Sequence, residues 1–256
     1  MPKFFVTRED IQGNYILIRK DTHHILHVLR KSKGDLLELC DGKNTDYLCE
    51  IIEVSRNEDQ LICKILKRMA SSAEAALKVF LYQALPKGDK MELILQKGTE
   101  IGVYGFIPFN SQRCIVHLDP KRSSQKVERW NKICVSGAKQ SGRGNIPAVS
   151  DPMNFKDAVN KAVKETDLVL VCYENEQTVS LKTALTGYGE KPSSVSIFIG
   201  PEGGFDTNEI DYLTAQGVRS VSLGPRILRT ETAGMVASAM VLYHFDEMER
   251  KGSELN

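Results

Sequence analysis

Nothing in these 256 residues approaches the run of roughly 20 apolar side chains needed to cross a bilayer. The opening Met-Pro-Lys-Phe-Phe-Val also lacks the apolar stretch of a secretion signal, so a cytoplasmic chain with no membrane partner is expected. Cys40, Cys49, Cys63, Cys114, Cys134 and Cys172 include no C-x-x-C pair, and no histidine stands at zinc-finger spacing from them. Reduced thiols acting as small core residues are expected, with no metal site. His23, His24 and His27 look like a helical cluster without the carboxylate or thiol partners of a ligand set. Both G-x-x-x-x-G-K-[ST] and G-x-G-x-x-G are missing, which disfavours a P-loop enzyme and a Rossmann-type dehydrogenase or transferase. The absence of G-x-S-x-G likewise argues against a serine hydrolase.

What is present is ordinary for a globular protein: 41% hydrophobic and 26% charged residues with a net charge of +1. Residues 1 to about 70 carry short apolar runs (Phe4-Phe5-Val6, Tyr15 to Ile18, Leu36 to Leu39, Tyr47 to Val54, Leu61 to Leu66) divided by turn signals such as Lys33-Gly34-Asp35 and Asp41-Gly42-Lys43. That spacing predicts a small β-barrel, interrupted by one short helix from Asp21 or Thr22 to Leu29. The small, polar stretch Met69 to Ala76 reads as a linker. From residue 77 to about 250 strands and helices alternate. Strands are predicted at 77–85, 105–110, 168–172, 195–199 and 218–223, and helices from Asp89, at 119–141, around 155–164, from Asp206 and at 230–248. The tail after residue 250 reads as frayed. Such alternation predicts an α/β domain with a mostly parallel sheet.

Two segments stand out. Ile199-Gly-Pro-Glu-Gly-Gly-Phe205 closes a predicted strand, and Leu223-Gly-Pro-Arg-Ile-Leu-Arg-Thr-Glu-Thr-Ala233 follows another and opens a helix. In open α/β sheets ligands bind beyond the carboxyl ends of strands, where glycines let the backbone approach closely. The second segment puts Arg226 and Arg229 beside a helix N-terminus, where cations are electrostatically unfavourable. Thr230 or Thr232 could cap that helix, and Glu231 would complement its positive end. A local rule broken in this way is often found at a functional site.

The pair of motifs resembles the RsmE family of 16S ribosomal RNA uridine N3-methyltransferases, within the SPOUT superfamily. Leu85-Pro-Lys-Gly-Asp-Lys-Met-Glu92, Gln96-Lys-Gly-Thr-Glu-Ile-Gly102, Ile107-Pro-Phe109, Arg129-Trp130 and Gln140-Ser141 extend the likeness over nearly the whole chain. Lys139 departs from the usual glutamate, and Gln112-Arg113-Cys114 from the common Glu-Arg-Ser. The resemblance implies a PUA-like RNA-binding barrel over residues 1–70 and a trefoil-knotted SPOUT methyltransferase domain over 77–250. It further implies a homodimer and S-adenosyl-L-methionine as cofactor. The cofactor would lie among three loops. One holds Val171, Tyr173 and Glu174; the second holds Ile199, Gly200, Pro201, Glu202, Gly203 and Gly204. The third holds Leu223, Gly224, Arg226, Ile227, Leu228, Thr230 and Thr232.

Uridine N3 carries a proton that must leave before it can attack a methyl group. Arg229 is the expected cation for the developing anion, with Glu231 to orient it or accept a proton. Basic residues crowd positions 1–33 and 111–144, the footprint of phosphate contacts. Arg8, Arg30, Arg113 and Arg143 are the expected contacts to 16S ribosomal RNA or the small ribosomal subunit. Open alternatives are a non-catalytic ribosomal RNA-binding assembly factor and a SPOUT methyltransferase acting at another RNA position.

Overall fold

A computed structural model describes residues 3–55, 59–116 and 120–249. The predicted helix start at Asp119 and the predicted frayed tail lie outside the described residues. The chain divides into two compact units, Met1–Glu74 with Ala138–Ile146, and Ala75–Gly137 with Pro147–Asn256.

The first unit is an antiparallel sheet curled toward a barrel. Its strands are β1 (Phe4–Phe5), β2 (Ile11–Gln12), β3 (Tyr15–Ile18), β4 (Leu36–Cys40), β5 (Thr45–Ser55) and β6 (Gln60–Ala70), in the order β1-β4-β5-β6-β3-β2. Only the β1–β4 pairing within it is parallel. Inward residues Ile16, Ile18, Leu37, Leu39, Cys49, Ile51, Leu61 and Cys63 alternate with outward ones and close on Ile25. Two predictions change. Met69 and Ala70 belong to β6, because Thr45 pairs with Ala70 and a ladder bonds through the backbone whatever the side chain. The short predicted helix is a wide π-turn, His24–Val28, with Asp21 at φ 61° before it.

In the second unit every pairing is parallel. Its elements are β7 (Lys78–Ala84), α1 (Lys90–Ile101), β8 (Gly105–Asn110), α2 (Pro120–Ser141), β9 (Ala148–Val149), β10 (Met153–Asn154), α3 (Phe155–Glu165), β11 (Leu168–Cys172), α4 (Leu181–Thr186), β12 (Ser194–Ile199), α5 (Thr207–Ala215), β13 (Arg219–Val221) and α6 (Thr230–His244). The last turn of α2 belongs to the first unit. The sheet order is β10-β8-β7-β12-β11-β13, with β9 beside β8. Strands β7, β11 and β12 are buried nearly throughout, which is why they read as unbroken apolar runs. Although β13 lies at the sheet edge, α6 packs against α1, β12 and β7. The chain therefore leaves the edge and returns across the strand ends to the middle of the sheet. Two predicted elements are shorter than read: β13 is three residues, and α6 ends at His244.

Candidate active site

The strands β12, β11 and β13 are adjacent and parallel, so the loops that follow them gather on one end of the sheet. Between the loops lies a cavity of about 580 Å³. Its wall takes Cys172, Tyr173 and Glu174 from the first loop and residues 199–204 from the second. Residues 222–230, with Ala233 and Lys90, complete it.

The middle loop is held at alternate points. Gly204 N–H donates to the Pro201 carbonyl at 3.0 Å, closing a tight turn that needs φ +67° at Gly204. A Cβ there would lie 2.0 Å from Glu174 Oε1, so any other residue would push that exposed carboxylate aside as well as strain the backbone. Phe205 then turns inward and stacks on Phe109 at 6.3 Å, anchoring the loop in the core. Thr230 Oγ1 donates to the Gly200 carbonyl at 2.6 Å. Lys90 Nζ and the Lys87 N–H donate to Glu202 Oε1 at 2.8 and 3.0 Å. Arg113 donates to the Gly203 carbonyl at 3.0 Å and to Asp206 at 3.2 Å.

Charge around the cavity is uneven. Arg226 and Arg229 are exposed and line it, and neither makes an ion pair among the described residues. Arg229 is also the N-cap of α6 and supplies no side-chain cap. Lys90 is 2.8 Å from Glu202 and 3.6 Å from Glu231. The hydrogen bond with Glu202 raises the Lys90 ammonium above its usual range, so it stays charged. Partial burial works against ionisation of Glu202, but the bond from Lys90 and the backbone N–H groups outweigh it and hold its carboxyl below the ordinary value. Burial pushes the Cys172 thiol up to about 12, so this cavity residue is no nucleophile at neutral pH.

Most of the sequence-predicted pocket residues meet here: Tyr173, Glu174, all of 199–204, Leu223, Gly224, Arg226, Ile227, Leu228, Arg229 and Thr230. Val171, Glu231 and Thr232 are outside the lining. Val171 is fully buried inside β11 because strand residues alternate between faces. The Glu231 carboxylate turns toward Lys90, with its Oε2 buried 3.6 Å from the ammonium. Neither threonine caps α6, since Thr230 spends its hydroxyl on Gly200. Sequence reasoning missed Lys90 and Ser222. Lys90 did leave a signal, a cation at the first position of α1, the same conflict with helix polarity that marks Arg229.

The arginines expected to touch RNA divide. Arg8 and Arg30 are exposed on the first unit, without an ion-pair partner among the described residues. Arg30 has φ 53°. Arg113 is half exposed but committed to Gly203 and Asp206. Arg143 corrects its prediction. Its side chain is 5% exposed and locked on Glu74 at 2.7 Å, a buried pair that would cost too much to open for a phosphate. Lys139 pairs with Asp21 at 2.7 Å. The His23 and His27 rings meet tilted at 4.8 Å, and no group of three or more potential metal ligands converges among the described residues. Nor is any helix among them long and apolar enough to cross a membrane.

Comparison with known proteins agrees with this geometry. Residues 73–242 match an RNA methyltransferase domain, and residues 17–66 match the PUA domain of RNA methyltransferases. The ribosomal RNA small subunit methyltransferase E of Bacillus subtilis is 36% identical over 95% of this chain and 96% of its own length. The namesake from Synechocystis is 33% identical over 90% of this chain and 73% of its own. Among solved structures, the same-named protein of Neisseria gonorrhoeae, bound to S-adenosyl methionine, superposes with TM-score 0.78 at 29% identity, covering 95% of this chain and 98% of that one. A methyltransferase of Legionella pneumophila in complex with its cofactor gives 0.77 at 30% identity, covering 94% and 97%. The second unit has the SPOUT fold with its C-terminal trefoil knot, and the curled sheet of the first is PUA-like. With fold, motifs and cavity in agreement, the chain belongs to the ribosomal RNA small subunit methyltransferase E family of RNA methyltransferases.

Proposed function

We propose that this enzyme uses S-adenosyl-L-methionine to methylate N3 of a specific uridine in 16S ribosomal RNA. The observation that carries the reading is the cavity across three parallel strand ends, with the exposed Arg226 and Arg229 on its wall. The cavity fits the cofactor. Its volume of about 580 Å³ is that of a site for a molecule of this size. Gly200, Gly203 and Gly204 line it, and an added Cβ at Gly200 or Gly204 would press on the Phe205 ring or the Glu174 carboxylate that shape this loop. Tyr173, Glu174, the 199–204 loop and Leu223, Gly224, Leu228 and Thr230 would hold it. When bound, it supplies an electrophilic methyl group on a sulfonium.

The chain's own residues do the rest. N3 lies on the Watson–Crick edge, so the uridine must be unpaired or flipped before it can enter. Arg229, free of any carboxylate among the described residues, stabilises the negative charge that develops on the base as its N3 proton passes to solvent water. Arg226 neutralises a neighbouring phosphate. Glu231 holds Lys90 rather than taking the proton, and so orients the loop from behind. Arg8 and Arg30 grip the surrounding RNA from the first unit, dividing the work between residues 1–70 and 77–250. A homodimer is favoured by α6, which is apolar on all faces yet leaves Met240 39% and Tyr243 77% exposed.

The test is mass spectrometry of ribosomal RNA from cells lacking the protein. One N3-methyluridine should vanish from the small subunit and return with the wild-type gene. Calorimetry with S-adenosyl-L-methionine supplies the other arm. A folded protein that binds ribosomal RNA but gives no heat is an assembly factor, and the proposal fails.

A further inference from the structure

Gln83, the penultimate residue of β7, has 0% exposure. Its Nε2 donates to the Ala84 carbonyl at 3.0 Å and to Thr230 Oγ1 at 2.9 Å. Those two acceptors fix the amide's orientation, because the flipped amide would set oxygen against the Ala84 carbonyl. Thr230 Oγ1 must therefore point its own proton elsewhere, and it donates to the Gly200 carbonyl at 2.6 Å. Gln83 Oε1 is left buried without a hydrogen-bond partner among the described residues. It faces the Gly234 backbone of α6, where an added Cβ would come within 3.5 Å. A fully buried amide with an idle oxygen is a poor choice for stability, since an apolar side chain of similar shape would carry no such penalty.

We propose that Gln83 and Thr230 are positioning residues. Their relay from β7 to α6 to Gly200 sets the cofactor loop and, through the adjacent residue, Arg229. The inference rests on the functional reading above and adds to it what fixes the pocket. A single hydroxyl joins the first turn of α6 to the entry of the 200–204 loop, and the amide decides where its proton points. The loop then stands ready before any ligand enters, so less ordering remains to be done on binding.

The variants Gln83→Met and Thr230→Val keep size and remove the relay; Thr230→Ser keeps the hydroxyl. Thermal unfolding, calorimetry with S-adenosylhomocysteine and methyl transfer to ribosomal RNA are measured for each. Gln83→Met is expected to melt at or above the wild-type temperature, yet to bind S-adenosylhomocysteine about tenfold more weakly, with a higher KM for the cofactor and a lower kcat. Thr230→Val is expected to follow it in binding, and Thr230→Ser to recover most of the loss. Wild-type affinity in both Gln83→Met and Thr230→Val overturns the relay. So does a Gln83→Met protein that loses stability along with affinity, because the amide would then be a plain core residue. A wild-type chain with no affinity for S-adenosylhomocysteine overturns the functional reading itself, and the relay's role with it.

Discussion

At Arg229 a helix begins with a cation and no cap, a position where serine or aspartate would add about 1 kcal/mol. Replacing Arg229 by alanine should therefore leave folding and S-adenosylhomocysteine binding intact while methyl transfer falls about a hundredfold or more. Wild-type turnover in a folded Arg229→Ala protein would remove it from the chemistry. Gly204 makes the opposite case. At φ +67°, with the Glu174 carboxylate 2.0 Å from any added Cβ, Gly204→Ala should cost about 1 kcal/mol of backbone strain. Cofactor affinity should fall with it, and calorimetry on the variant checks this. Glu176 in the first loop offers a pH test. The Thr178 hydroxyl and backbone N–H, with the Val179 N–H, lower its carboxyl from 4.5 to about 2. A depressed acid stabilises the fold above its unfolded value and loses that contribution as pH falls through the folded one. Glu176→Gln should accordingly melt below wild type at neutral pH, with the gap closing between pH 4.5 and 2.

Elements bounded by glycine or turn residues were legible at their edges: β8 and β11 run over the residues their apolar stretches mark. The capping box of Asp206 and Glu209 marks the start of α5 in the same way. Short elements were not legible. Six-residue α4 and two-residue β9 and β10 carry too few periods to rise above their surroundings. The two Gly-Pro loops announced themselves because each combines a turn signal with a preceding strand. Lys90 and Gln83 did not, since their partners stand 112 and 147 residues away in sequence. Arg143 misled for the same reason: a loop arginine in a basic stretch turns inward only because Glu74 waits 69 residues earlier. Glu74 also accepts from the Gly144 and Asn145 N–H groups at 2.8 and 3.0 Å. Arg143→Ala should thus cost about 3–5 kcal/mol by urea unfolding, because it leaves a buried carboxylate unpaired. Glu74→Ala should cost at least as much, because it orphans two backbone donors as well.

On the scale of the whole molecule, the net charge of +1 hides where RNA is met. Arg8→Glu with Arg30→Glu should weaken binding to ribosomal RNA, flatten its dependence on salt concentration and leave calorimetry with S-adenosylhomocysteine unchanged. An unaltered salt slope would move the RNA contacts elsewhere. The two units also divide the cysteines. Cys40, Cys49 and Cys63 lie in the first and Cys114, Cys134 and Cys172 in the second, none of them in a disulfide. Burial raises Cys49, Cys63 and Cys172 to about 12. Alkylating reagents should therefore meet almost no thiolate until a unit opens. The protein thus carries its own set of clocks. The labelling rate at Cys49 and Cys63 times the opening of the curled sheet, and the rate at Cys172, part of the cavity wall, reports how freely a reagent enters the cavity. A ligand that seals that wall should stop the second clock and leave the first running.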